Sequence, residues 1–110
     1  MDIRHKKLAA GRWNDLSFVE QMANVGSEVE RTIKWKDKNN AAFSRKSFER
    51  TLELLDLTIA DGKNKKRLKE LTRTRESLAD FFVFENEYKS TNEVWQKYFL
   101  AFGIAARSNH

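Results

Sequence analysis

Residues 16–33 read LSFVEQMANVGSEVERTI, and their spacing decides the fold. Leu16, Val19, Met22, Ala23, Val29 and Ile33 recur mainly at three- and four-residue steps, which gathers them on one face of a helix. Ser17 and Glu20 have the spacing of a capping box. The pattern predicts a first helix from about Asp15 to Lys36. Lys34, Lys36 and Lys38 fall at its C-terminal end, where the helix dipole favours cations. Gly26 in the middle is unfavourable by ~1 kcal/mol relative to alanine. With Ala23 and Ser27 beside it, it offers a place for another helix to approach closely.

Working outward, Lys38-Asn39-Asn40 reads as a turn. A second helix is predicted over Ala41–Ala60, with Phe48, Leu52, Leu55 and Ile59 as its core stripe. Asp61-Gly62 is its stop, because glycine accepts the left-handed conformation that follows many helix ends. A third helix is predicted from about Asn64 to Phe84, with Leu68, Leu71, Arg75, Leu78 and Phe82 on one side. The polar stretch Glu85–Lys89 follows. A fourth helix begins near Ser90, with Ser90 and Glu93 as a second capping box and an apolar face of Val94, Trp95, Tyr98, Phe99, Phe102 and Ala106. Four helices with short connections predict an all-α, four-helix up-and-down antiparallel bundle over residues 13–107. A short basic N-terminal arm, residues 1–12, precedes it.

Composition agrees with this. A chain of 110 residues with 40% hydrophobic and 34% charged residues has enough for one core and too few residues for two domains. Proline is absent and only four glycines occur, so breakers are few. The lack of cysteine removes disulfides, thiolate metal sites and a cysteine nucleophile. No stretch approaches membrane-spanning length, and the N-terminus lacks the apolar core of a signal peptide. The expected compartment is therefore the cytoplasm.

The chemistry that sequence motifs usually reveal is missing. The only histidines are His5 and His110, near the two ends, which disfavours a serine–histidine or cysteine–histidine centre. There is no Glu-x-x-His pair of the kind that builds di-metal sites in bundles, and no glycine-rich phosphate loop. No catalytic residue, metal or cofactor is assigned. An enzyme would have to work with carboxylates, arginines and hydroxyls alone.

Charge is uneven. The net +5 divides into +3 over residues 1–13, +6 over residues 63–75 and −4 elsewhere. Lys63, Lys65, Lys66, Arg67 and Lys69 open the third helix, at the end where the dipole favours anions. A bound phosphate or acidic partner would relieve that conflict; a solvated basic turn is the plain alternative. Arg75 stands where a leucine is expected, so it needs a carboxylate or carbonyl partner if buried. Asp56, Glu28 and Asp80 are the candidates. It reads as an ion pair fixing helix register, or else as an anion-binding arginine. On the first helix Gln21, Asn24, Glu28 and Arg31 share a face. With Asp80 they are a candidate polar pocket, against the simpler expectation of a solvent-facing stripe. Eight of the thirteen aromatics lie between Phe81 and Phe102, more than one bundle interior needs. Phe81, Phe84, Trp95, Phe99 and Phe102 are the expected interface of a homodimer, since aromatics are enriched at interfaces.

The stretch 16–31, followed by Trp35-Lys36, resembles the opening of a family of small uncharacterised prokaryotic helical-bundle proteins. The segment 47–59, Arg75-Glu76, Asp80-Phe81 and Asn86-Glu87-Tyr88 fit the same family, over most of residues 13–107. A broader resemblance is to HEPN domains, dimeric helical bundles of which many are ribonucleases or partners of small nucleotidyltransferases. Their motif is an arginine followed, after four to six residues, by histidine. Here Arg75 is followed after four residues by Asp80, without the histidine. The resemblance therefore implies nucleic-acid binding rather than cleavage. The leading expectation is a non-enzymatic, dimeric helical interaction module that binds a protein partner or acidic ligand. The alternative is a HEPN-like RNA-binding or RNA-cleaving protein.

Overall fold

The computed structural model describes residues 11–108. Every regular element in that range is helical. Residues 11–14 are helical, and four long helices follow: α1 (Phe18–Asp37), α2 (Ala41–Ala60), α3 (Leu68–Phe82) and α4 (Asn92–Ser108). A 3-10 segment, Gly62–Arg67, joins α2 to α3. No helix among the described residues is long and apolar enough to cross a membrane.

Helix ends show which local signals prevail. The Ser17–Glu20 box forms in both directions: Ser17 Oγ accepts from Glu20 N, and Glu20 Oε1 accepts from Ser17 N, each at 3.1 Å. That box starts α1 at Phe18 and leaves Asp15 and Leu16 in a turn, three residues later than the pattern indicated. The second box does not form. Thr91 Oγ1 accepts from Val94 N at 3.1 Å, while Ser90 N donates to Asn86 Oδ1 at 2.8 Å. Ser90 is thus held by the preceding loop, and α4 begins at Asn92.

Gly62 is not the left-handed stop that its type invites. No described glycine has positive φ; that region is taken by Asn39, Asn86 and Lys89. Instead Asp61 stands extended and caps the next segment, accepting from Lys63 N at 3.1 Å. This cap winds residues 62–67 into a 3-10 helix, so the regular α-helix starts at Leu68 rather than near Asn64.

α1 is the central element, packed against α2 and α4. The contacts give the directions. Ser44 Oγ donates to Thr32 O (3.2 Å) and Arg50 Nε approaches Glu28 Oε1 (3.5 Å), so α2 runs against α1. Phe48 meets Phe82 with centroids 5.2 Å apart, and Arg75 meets Asp56, so α3 runs against α2. Phe18 meets Phe102 at one end of the α1–α4 pair, and Asp37 meets Asn92 at the other. A Cβ built on Gly26 would lie 2.7 Å from Phe99 Cβ. The glycine lets α4 come this close to α1, as its place in the sequence suggested.

The core is Met22, Val25, Val29 and Ile33 of α1, Phe48 and Leu55 of α2, Leu71 and Leu78 of α3, Trp95 and Phe99 of α4, and Trp13. On α3 the buried row runs Leu71, Thr74, Leu78. Thr74 takes the inward position, and Arg75 lies beside it, half-buried, not in the stripe itself. α3 and α4 touch only lightly. Tyr98 joins them, its hydroxyl 3.2 Å from Glu70 Oε1 and 3.3 Å from Thr74 Oγ1.

Candidate functional site

The +6 segment is organised by one buried carboxylate. Asp61 sits at the C-terminal end of α2 and is buried. It accepts from Gln21 Nε2 at 2.8 Å and from Lys63 N, and it pairs with the Lys63 ammonium. Burial alone would raise its pKa. The hydrogen bonds from Lys63 and Gln21 and the nearby ammonium outweigh that, and the carboxyl is held below its ordinary value.

Around Asp61 lies a chain of buried polar contacts. Gln21 Nε2 also donates to Trp13 O (2.9 Å), and Gln21 Oε1 accepts from Asn64 Nδ2 (2.8 Å). Asn64 Nδ2 reaches Thr58 O, and Trp13 Nε1 donates to Thr58 Oγ1, both at 2.9 Å. Lys63 Nζ further donates to Asn14 O at 2.9 Å. The consequence is spatial. The root of the N-terminal segment, Arg12 to Asn14, is fastened against the 3-10 segment. The described root of the N-terminal segment therefore lies beside the start of the 63–75 basic segment.

The cations of this end fall into three roles. Lys63 is consumed by Asp61 and Asn14. Arg67 places its guanidinium carbon 4.2 Å over the Phe18 ring, a cation–π contact that leaves its edge available. Lys65, Lys66 and Lys69 are exposed and make no ion pair among the described residues. Of the arm, Arg4, His5, Lys6 and Lys7 lie outside the described residues, as does His110.

Arg75 does not join this cluster. Its Nε donates to Asp56 Oδ1 at 2.8 Å and its Nη2 approaches Asp56 Oδ2 at 3.4 Å. Asp56 was one of three candidate partners, and the pair is partly exposed.

The candidate polar pocket is not one place. Gln21 is buried in the Asp61 network. Asn24 is exposed and donates to Glu20 O at 2.8 Å within its own helix. Glu28 is buried and pairs with Arg31 and Arg50, so Glu28 and Arg31 alone stay together, in an open cleft between α1 and α2 with Lys46 and Glu53. Asp80 lies at the end of α3 and is a loop clamp: its carboxylate accepts from Glu87 N at 2.8 Å and Tyr88 N at 3.0 Å. Seven-residue spacing put Gln21 and Glu28 on one side of α1, but their partners lie on different elements.

The expected aromatic interface also divides. Trp95 and Phe99 are only 6% and 4% exposed; both belong to the core, Phe99 against Gly26 of α1, and little of either ring is left for a second chain. Phe81 and Phe102 are half-buried, Phe81 beneath the Lys36 ammonium at 4.2 Å. Phe84 is 70% exposed. α4 aromatics stack edge-on against each other, which lets one wide face absorb rings that the sequence made look surplus. Tyr98 is among them. Burial raises its pKa, with Glu70 adding to the effect against Thr74.

No cluster of potential metal ligands forms among the described residues. The Asp61–Asn64–Gln21 network leaves no mark in the sequence, because its members lie on three elements and each is ordinary in its local setting. Comparison with family models, curated proteins and solved structures finds no match for this chain.

Proposed function

We propose that this chain is a four-helix up-and-down bundle that acts as a non-enzymatic interaction module and takes an acidic ligand at its basic end. The observation that carries this is the Lys63 ammonium held between Asp61 and Asn14 O. It joins the root of one basic segment to the other. Lys65, Lys66 and Lys69 are exposed on the same segment and make no ion pair among the described residues, and a concentrated positive surface attracts polyanions.

The HEPN-like alternative assigns RNA to this surface and to Arg75. It is the weaker reading, since the Arg75 guanidinium is engaged by Asp56.

Fluorescence anisotropy tests the proposal, with a labelled single-stranded RNA and a labelled polyglutamate peptide titrated in parallel. The expected result is salt-sensitive binding of at least one probe, lost in the Lys65→Glu, Lys66→Glu, Lys69→Glu triple variant. For RNA, removing three phosphate contacts lowers the log–log salt slope by about 2. Failure of both probes at low salt, or equal binding by the triple variant, overturns it. Preference for RNA would favour the HEPN-like alternative.

A further inference from the structure

α4 carries a second seam, on the side away from the core. Glu93, Lys97, Leu100, Ile104 and Arg107 follow steps of four, three, four and three, the spacing of a coiled-coil seam. All five are exposed, Leu100 at 56% and Ile104 at 49%. The opposite face of α4 buries Trp95 and Phe99. The helix is thus apolar on two sides, whereas a helix covering a lone bundle needs one.

The ends of the seam carry opposite charge. Glu93 lies in the first turn and Arg107 in the last, and neither makes an ion pair among the described residues. We propose that the seam binds a second copy of this chain, α4 packing antiparallel on α4 about a two-fold axis at Leu100. Two-fold contacts are reciprocal: if one residue meets another, the second meets the first across the axis.

Glu93 and Arg107 are each seven residues from Leu100, about 10.5 Å along the helix. The operation therefore sets Glu93 of one protomer against Arg107 of its partner, and does so twice. Leu100 meets its own counterpart, Ile104 lies over the neighbouring turn, and the stem of Lys97 covers apolar surface. Parallel pairing would bring Glu93 to Glu93 and Arg107 to Arg107. The charge pattern therefore selects the antiparallel copy. A single-helix seam is smaller than the ~800 Å² per partner of a stable complex, so the dimer dissociates on dilution. The proposal does not depend on what the basic end binds.

Sedimentation equilibrium over a wide concentration range tests this, with four variants at exposed positions whose helicity is checked by circular dichroism. The wild type should show a monomer–dimer equilibrium. Leu100→Asp should abolish the dimer. Glu93→Arg and Arg107→Glu should each raise the dissociation constant several-fold, because each makes two like-charge contacts. The Glu93→Arg/Arg107→Glu double variant should return close to wild type. A wild type that stays monomeric at every concentration would assign the seam to some other partner and overturn the pairing. A dimer indifferent to Leu100→Asp would do the same, as would a double variant no better than the single ones.

Discussion

Arg75 on α3 holds Asp56 on α2 through Nε at 2.8 Å, and both side chains remain partly in water. An arginine and an aspartate pairing in a high-dielectric setting contribute little to stability, typically about 0.2–1 kcal/mol. Arg75→Met should therefore shift the urea midpoint slightly in either direction and leave the slope unchanged. A loss above about 2 kcal/mol would show that the guanidinium is effectively buried in solution.

Gln21 is a different case, because it is fully buried and serves three partners at once. Gln21→Leu conserves most of the volume but leaves Asn64 Nδ2 and Trp13 O with fewer bonds, and it removes a donor from Asp61. Each keeps another partner, Thr58 O, Leu16 N and Lys63 respectively, so the loss is that of three hydrogen bonds at about 1 kcal/mol each, and a total of ~3 kcal/mol is expected from urea unfolding. The intrinsic fluorescence of Trp13 should change with it, since its carbonyl and indole belong to the same network.

Gly26→Ala sets helix propensity against packing. Alanine gains ~1 kcal/mol in a helix interior. The new Cβ would meet Phe99 Cβ at 2.7 Å, and this neighbour is the base of a ring fixed in the core, not the far end of a flexible chain. α1 and α4 must move apart, and overpacking of this sort costs about 1–3 kcal/mol. The net change should be a lower thermal midpoint. A rise would mean that α4 yields easily.

Stability should respond to acid through Asp61. Its folded-state pKa lies below the ordinary 3.8, so the folded protein releases this proton more readily than the unfolded chain. The stabilisation is fully present above the unfolded value. It is lost as pH falls from there through the folded value. Urea midpoints measured downward from pH 6 or so should fall in that range, and Asp61→Asn should flatten the dependence while lowering stability at neutral pH. Tyr98 works at the other extreme. Its pKa is raised, so the folded protein holds its proton longer, and stability should decline as pH rises above the ordinary tyrosine range.

The parts of this fold legible in the sequence are those set by neighbours along the chain. α2 runs over Ala41–Ala60, as predicted, because Asn40 caps one end through Phe43 N and the chain turns at Asp61. The Ser17–Glu20 box is equally local. Ser90 misleads because the adjacent Thr91 offers the same chemistry one residue later, and Asn86 claims Ser90 first. Gly62 misleads because Asp61 caps forward before a left-handed turn is needed. The partner of Arg75 and the fastening of Trp13 and Asn14 against residues 58–63 depend on which elements are adjacent, and no periodicity within one helix encodes that. The outward seam of α4 is periodic, but it emerges only after the structure shows which rings the core has already claimed.

The light contact between α3 and α4 has a consequence for the chain's connectivity. α4 is held by its long seam with α1 and by Tyr98, while Asp80 closes the connecting loop from the α3 side with its own hydrogen bonds. The peptide link between the two helices adds proximity and little else. A chain severed after Tyr88 should reassemble from its two pieces, and new termini placed there should be tolerated. The expectation is of a divisible protein, with α1 to α3 and the 3-10 segment as a cradle and α4 as its insert.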